Sequence, residues 1–490
     1  MVVFMVKYVI LGLFLLLMII VGILSSRKIK TVEDFVLGGR RMGPWLSAFA
    51  YGTTYFSAVV FVGYAGRFGW SFGISATWVG IGNAVIGSLL AWLLLAERTR
   101  KISQAMGIST MAEFFSKRYD SVGLEKFAAV IIFIFLIPYS ASVYQGLGYI
   151  MKDFFAGTFL ENINYSMLLM AVITAVYLYF GGIISTAVNS TIQGIIMVAG
   201  VLYMIWKVLS LVGGLSAGID SLSQMGANGA LASIGGTSPF NLIVIMLMTS
   251  LGTFGLPQMI SKFHSIRDKK SVRRGMIFST IFALIIGGGA YFMGGFSRVL
   301  DQKLQMNFDG KNLDTVMPMV FQAILTPEMM AVLVVLMLSA SMSTLAAVVM
   351  VSAPTFSRSI LKTRKMLPMR LLCLLFVLIS YLVAVVPSAI VTLMAFSWGA
   401  VSGSFVGPYI WGLYMKKMTK AGAIAGMVCG LGTVIIGALV IGLVSGTSAA
   451  TSWAPKLAVL AMLVSLTVTP LVSLLTAKSV KVPEGAQYLS

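Results

Sequence analysis

Apolar runs of about 20 residues follow one another along almost the whole chain, and they decide what it can become. They fall at roughly 8–26, 44–66, 74–95, 126–150, 165–181, 186–211, 239–260, 275–298, 329–351, 370–386, 389–414, 421–445 and 455–476. A helix rises 1.5 Å per residue and the hydrocarbon core of a bilayer is about 30 Å thick, so each run can cross. In lipid the backbone must bond to itself, which a helix achieves within one segment. The residues are 58% hydrophobic and 10% charged, with a mean hydropathy of +0.96. A soluble chain of 490 residues could not hide that much apolar surface. The pattern predicts an all-α polytopic membrane protein of about 13 transmembrane helices, in one transmembrane domain over 1–490.

The charges orient it. Only Lys7 precedes the first run, while Arg27, Lys28 and Lys30 follow it. A cleaved signal peptide carries its positive charge in front, so a retained span with the N-terminus outside is expected. Thirteen spans then leave the C-terminus cytoplasmic, in a plasma (inner) membrane. On that assignment 27 of the 35 Lys and Arg fall in inside loops, a strong positive-inside bias. The net charge of +20 is therefore a topology signal, and no nucleic-acid partner is expected, since no loop is long enough to build a basic face. All fifteen Asp and Glu lie in loops or at span ends, which argues against a carboxylate proton relay. Cys373 and Cys429 offer no disulfide framework or metal motif. The lone His264 sits in a basic loop and reads as a surface residue. No His/Asp/Ser or metal constellation lies within the spans, so an enzyme is not expected.

Two spans are interrupted. The second holds Gly52-Thr53-Thr54-Tyr55-Phe56-Ser57, a poor unbroken helix because of its glycine and β-branched residues. A span that unwinds at midplane offers bare carbonyls to a cation and hydroxyls to a solute. The ordinary alternative is a helix packed through small residues. Five spans later comes Thr249-Ser250-Leu251-Gly252-Thr253-Phe254-Gly255-Leu256-Pro257-Gln258. The correspondence of Gly52-Thr53 with Gly252-Thr253 is what an inverted five-plus-five repeat gives. In the ninth span Ala340, Ser343 and Thr344 share one helix face. Hydroxyls and carbonyls there suit a hard cation, and Ser/Thr back-bonding or helix–helix contact is the competing use.

Four stretches together resemble the sodium/solute symporter family, which includes proline, pantothenate, sugar, sialate and monocarboxylate transporters. They are Phe35-Val36-Leu37-Gly38-Gly39-Arg40-Arg41-Met42-Gly43, Gly252–Gln258 with Lys262-Phe263, Ala340–Thr344, and Gly407-Pro408-Tyr409-Ile410-Trp411-Gly412-Leu413-Tyr414 with Lys416-Lys417 and Gly422-Ala423. The resemblance covers nearly the whole chain. It implies a leucine-transporter-type core working by alternating access. A first helix and linker would occupy 8–43, the inverted repeats 44–211 and 239–414, and two C-terminal helices 421–476. It implies one Na+ site, formed by the carbonyls of Thr53, Phe56 and Ala340 and the hydroxyls of Ser343 and Thr344. It also implies a solute pocket lined by Tyr55, Ser57, Val60, Tyr139, Ser142, Gln145, Thr253 and Phe254.

The departures carry information. Proline members have an Asp where this chain has Tyr55, and many members have an Asp where it has Ser190. Members with a second sodium site carry extra Ser residues where this chain has Leu345, Ala346 and Ala347. One sodium per cycle is expected. The partners expected are a small-molecule solute, a sodium ion and the lipid bilayer, with a carboxylate favoured by the acid-free pocket and by helix N-termini. Arg67 is placed to draw an anion inward or to snorkel to the interface. The alternatives are an amino-acid or sugar symporter of the same family, or a membrane solute sensor. Because few residues follow 476, a sensor would need a separate signalling partner.

Overall fold

The computed structural model describes residues 2–26, 40, 42–180, 183–363, 365–477, 485 and 487. The Phe35–Gly39 part of the first motif lies outside them, as do Arg41, Lys478 and Lys481. The described residues are helical almost throughout. The helices that matter below are α1 (Val2–Ser26), α2 (Pro44–Tyr55), α3 (Val122–Phe154), α4 (Ile183–Val212), α5 (Pro239–Leu251), α6 (Pro257–His264), α7 (Lys269–Ala283), α8 (Pro327–Ser359) and α9 (Ile390–Tyr414).

Among the described residues nine helices are long and apolar enough to cross a membrane, or ten if Pro239–Phe254 and Pro257–His264, bent by 41°, form one span. Thirteen were expected, and the breaks account for much of the difference in counting. Val60–Met106 runs for 47 residues as one helical stretch. That is about 70 Å, more than twice a bilayer core. Gly73, at φ 66, turns the chain within it. At 12 residues, α2 is too short to cross alone. Val6–Met18 and Ile163–Val176 are the apolar stretches found within two further helices, Val2–Ser26 and Ile163–Phe180.

Apolarity does not say which helices are central. In α8 94% of the most apolar window is buried, and α1, α2, α3 and α4 all pack on it. For the equally apolar Lys420–Ser445 the figure is 17%, and its outer face carries exposed leucines such as Leu439 and Leu443. In water the second helix would be a misfolding hazard; against lipid it is ordinary. What marks the centre is small and hydroxyl residues, which let backbones approach. A Cβ on Gly69 would stand 2.0 Å from the Gly294 carbonyl carbon, and one on Gly294 would stand 2.0 Å from the Ala65 oxygen. Gly66–Phe72 and Gly289–Gly295 therefore touch backbone to backbone.

The two interrupted spans meet at their basic-loop ends. Met42 donates its N–H to Ser265 O (3.1 Å), and Arg267 donates to Met42 O (3.1 Å). This parallel bridge ties the start of α2 to the end of α6. It also corrects the expectation for His264. Beyond the bend α6 runs on to His264 and carries it inside, where it is buried rather than at a loop surface.

Candidate functional site

Pro44 starts α2 at the first helical turn, where its missing N–H costs nothing. The helix passes through Gly52, whose missing Cβ makes room for the Phe282 ring of α7. It stops at Phe56, which is extended (φ −110, ψ 124). In a continuous helix Thr53 O would accept from Ser57 N–H, and Thr54 O from Ala58 N–H. The break removes both bonds. Ala58 N–H donates instead to Ser341 Oγ on α8 (3.0 Å).

The freed carbonyls face α8. Thr344 Oγ1 lies 3.2 Å from Thr53 O, 3.2 Å from Thr54 O and 3.1 Å from Ala340 O. Thr53 Oγ1 lies 2.7 Å from Phe49 O and 2.7 Å from Ser343 Oγ. Ser343 Oγ is in turn 2.8 Å from Ser190 Oγ on α4. A hydroxyl has one proton and two lone pairs. Thr344 therefore cannot satisfy three carbonyls, and the cluster holds more acceptors than protons. Thr53, Ser190, Ser343 and Thr344 are each at most 2% exposed. A dry surplus of neutral oxygens is the donor set that suits a hard cation of low charge.

The structure thus brings Thr53, Ala340, Ser343 and Thr344 together. Phe56 sits at the break itself, its ring stacked on Tyr55 at 4.5 Å. The carbonyl that Thr344 reaches beside that of Thr53 belongs to Thr54. From sequence, Thr54 and Ser341 stand within the two stretches without a role of their own, and Ser190 stands out only as a departure. Only the fold shows which hydroxyls stand opposite the break.

The residues expected around a solute divide into two places. Tyr55 donates its hydroxyl to Thr249 O on α5 (2.7 Å), and Thr253 donates to Gly87 O (3.0 Å). Gly87 has no room for a side chain, because a Cβ would stand 2.1 Å from the Tyr55 hydroxyl. Tyr55 and Tyr139 flank the indole of Trp398 on α9, at 6.4 and 5.8 Å between ring centres. Ser57, Val60 and Phe254 are buried near the two breaks. Ser142 donates back to Tyr139 O within its own helix (2.7 Å). Gln145 lies elsewhere, in an outer cavity with Arg67 and Asp314, and its amide donates to Ala384 O (3.0 Å) and Ser388 Oγ (3.1 Å). Trp398 and Gln258 had not been singled out. Both side-chain atoms of Gln258 are buried without a partner among the described residues.

Arg67 is held by an acid. Its Nη2 lies 3.0 Å from Asp314 Oδ1, and Asp314 Oδ2 accepts from Ile390 N–H at the start of α9 (3.2 Å). Asp314 is buried, and Arg67 lines two outer cavities of about 430 and 480 Å³.

A broken helix held against a hydroxyl-bearing neighbour, within a bundle of membrane-spanning helices, defines a secondary transporter. The profile of the Sodium:solute symporter family matches residues 35–430, and the chain belongs to that family. It is 26% identical over 439 residues to the osmoregulated proline transporter OpuE of Bacillus subtilis, covering 87% of each chain. It is 24% identical over 437 residues to a sodium/proline symporter of Escherichia coli, covering 86% of this chain and 85% of that one. Among solved structures it is similar to a substrate-bound, outward-open Na+-coupled sialic acid symporter, with a TM-score of 0.74 at 17% identity over 95% of this chain and 98% of that one. A nucleobase-cation-symport-1 family transporter in a closed conformation gives 0.57 at 13% identity, over 93% and 98%. The chain is therefore a multi-pass sodium-coupled symporter, not an enzyme, with Na+ as coupling ion and a small solute as cargo.

Proposed function

We propose that this symporter imports a small organic carboxylate with one sodium ion per cycle. It would do so by alternating access in a cell membrane, with thirteen spans, the N-terminus outside and inverted repeats over 44–211 and 239–414. The supporting observation is the acid-free oxygen cluster. Every contact of Thr53, Ser190, Ser343 and Thr344 within it is to a carbonyl or hydroxyl oxygen. A cation entering such a site brings a charge that the protein does not neutralise, and desolvating it is costly without a counter-charge. A solute carboxylate supplies that charge, so the loaded site is neutral and net transport of a monoanion is electroneutral. In this reading Thr53, Thr54, Ala340, Ser343 and Thr344 hold the ion, with Phe56 at the break. Tyr55, Ser57, Val60, Tyr139, Thr253, Phe254 and Trp398 surround the solute, Ser142 braces Tyr139, and Gln145 guards the outer mouth.

A second reading, an amino-acid symporter, is favoured by the proline transporters among the relatives. It requires a group to hold the solute ammonium. At Tyr55 the hydroxyl is already committed to Thr249 O, which leaves no anion there.

Uptake into proteoliposomes separates the two. With an inward sodium gradient, labelled acetate, pyruvate, lactate and pantothenate are offered beside proline and glucose. At least one carboxylate without an amino group should accumulate. Accumulation of proline or glucose alone would refute the carboxylate.

A further inference from the structure

Lys262 is 3% exposed and lies in the last turn of α6. A lysine there ordinarily caps the free carbonyls of its helix. Lys262 makes no hydrogen bond or ion pair among the described residues. It lines instead a cavity of about 20 Å³, shared with Thr110, Thr186, Ser261, Ala347 and Thr355. One water needs about 10–15 Å³ on that measure. A second donor faces the same space. Thr355 Oγ1 is buried and has no partner among the described residues.

The cavity adjoins the oxygen cluster on two helices. On α4, Thr186 lies one turn from Ser190. On α8, Ala347 lies one turn from Ser343 and Thr344, toward the basic loops. The cavity thus begins where the sodium cluster ends, on the side of the 262–274 basic segment. The acidic group beside it is already engaged. Glu113 accepts from Ser109 N–H (2.7 Å) and Thr110 N–H (3.3 Å), and its other oxygen meets Arg358 (3.4 Å). Arg40 adds further positive charge nearby, bonded to Ser103 Oγ and Ile108 O. A buried ammonium with donors around it, and no carboxylate among the described residues lining its cavity, is the complement of a small anion.

We infer that Lys262 and Thr355 form a site for one small inorganic monoanion of chloride size, on the basic-loop side of the sodium cluster. A space of that size excludes an organic carboxylate, so the site is distinct from the solute and does not depend on the proposed function.

The test uses the full-length protein in nanodiscs at fixed sodium and pH. Thermal unfolding is followed as gluconate, too large for the cavity, is replaced by chloride or by acetate. The expected result is a saturable rise of several degrees for the wild type with chloride and none with acetate. An equal rise with acetate, which the cavity cannot hold, overturns the site. Lys262→Met should melt at or above the wild type in gluconate, because the desolvated charge is gone, and should show no chloride-dependent rise. Lys262→Arg should keep the rise. Line broadening of chloride-35 by the wild type, reversed by excess bromide, gives a readout independent of any variant. No rise and no broadening, or an unchanged rise in Lys262→Met, overturns the site. Because no solute flux is measured, this result stands apart from the carboxylate uptake assay.

Discussion

The two interrupted spans carry the same Gly-Thr signature and do opposite things with it. At Phe56–Ser57 the helix loses two bonds, and the carbonyls of Thr53 and Thr54 are left to a single hydroxyl, that of Thr344. At Gly252–Leu256 the chain turns tightly instead. Gly255 N–H donates to Gly252 O (3.1 Å), and Met259 and Ile260 N–H both reach Leu256 O (3.0 and 3.1 Å). Pro257 has no N–H, so Thr253 O loses the donor a continuous helix would give it. Ser402 on α9 adds its hydroxyl to Gly252 O. The first break gathers two freed carbonyls around the hydroxyls of the helix opposite, whereas at the second only Gly252 O meets a hydroxyl from the helix opposite. A broken helix gathers oxygens for a cation only where its freed carbonyls converge on such hydroxyls.

The largest effect should come from removing Thr344. Thr344→Ala deletes one oxygen and leaves the carbonyls of Thr53 and Thr54 without even a shared donor. Losing one oxygen's interaction with a charged ion costs about 1.5–3 kcal/mol, so the sodium concentration for half-maximal uptake should rise about 10- to 100-fold. Thr344→Ser, which keeps the hydroxyl, should stay close to wild type. Ser343→Ala should follow in the same direction, since it removes the oxygen that links Thr53 to Ser190. Sodium titration of uptake in each variant decides the matter. An unchanged half-saturation in Thr344→Ala would remove the contrast between the two breaks.

Ser190→Asp should have the next largest effect, in the opposite direction. Ser190 Oγ lies 2.8 Å from Ser343 Oγ, so an aspartate there places a negative charge at the edge of the cluster. An opposite charge within about 4–6 Å favours a cation. Sodium affinity should tighten about tenfold, and sodium should bind without the solute. Wild type should carry one sodium per solute, with no current for a monoanion. Paired flux measurements under a clamped potential test both statements. Two sodium ions per solute in the wild type, or an aspartate variant with unchanged ratio and affinity, would show that Ser190 does not set the charge balance.

The chain itself disclosed the first break better than the second. Thr53, Ser343 and Thr344 stood out through the family resemblance rather than their spacing, since hydroxyls on an apolar helix serve back-bonding and helix contacts just as well. The span count was less legible, because the 47-residue Val60–Met106 stretch turns at one glycine and α2 stops after 12 residues. What could not be read was pairing across the chain. Ser341 meets Ala58 from 283 residues away, and Arg67 meets Asp314 from 247. His264 looked like a loop residue because the helix beyond Pro257 is only eight residues long and polar on one side. Trp398 and Gln258 matter through what surrounds them, and no periodicity announces that. Hydropathy ranked the spans alike, although the buried share of their most apolar windows runs from 17% to 94%.

The smallest effect should come from Ser402→Ala, and it is the sharper half of the comparison because it changes stability without changing the ion. Ser402 donates to Gly252 O, but that carbonyl also accepts from Gly255 N–H, so its loss leaves no orphaned acceptor. A neutral hydrogen bond contributes about 1 kcal/mol net. In a protein of this size that amounts to about 2 °C or less in melting temperature. Sodium half-saturation should not move, because Ser402 is not one of the hydroxyls gathered at the first break. The backbone leaves little room for compensation. A Cβ on Gly255 would already stand 2.7 Å from the Ser402 Cα, so α9 presses directly on the bend. Gly255→Ala should therefore cost far more stability than Ser402→Ala and slow transport, by forcing α9 away from the bend. Melting curves and sodium titrations of both variants, side by side, test the division of labour. A sodium shift in Ser402→Ala of the size expected for Thr344→Ala would mean that the second break shares the ion.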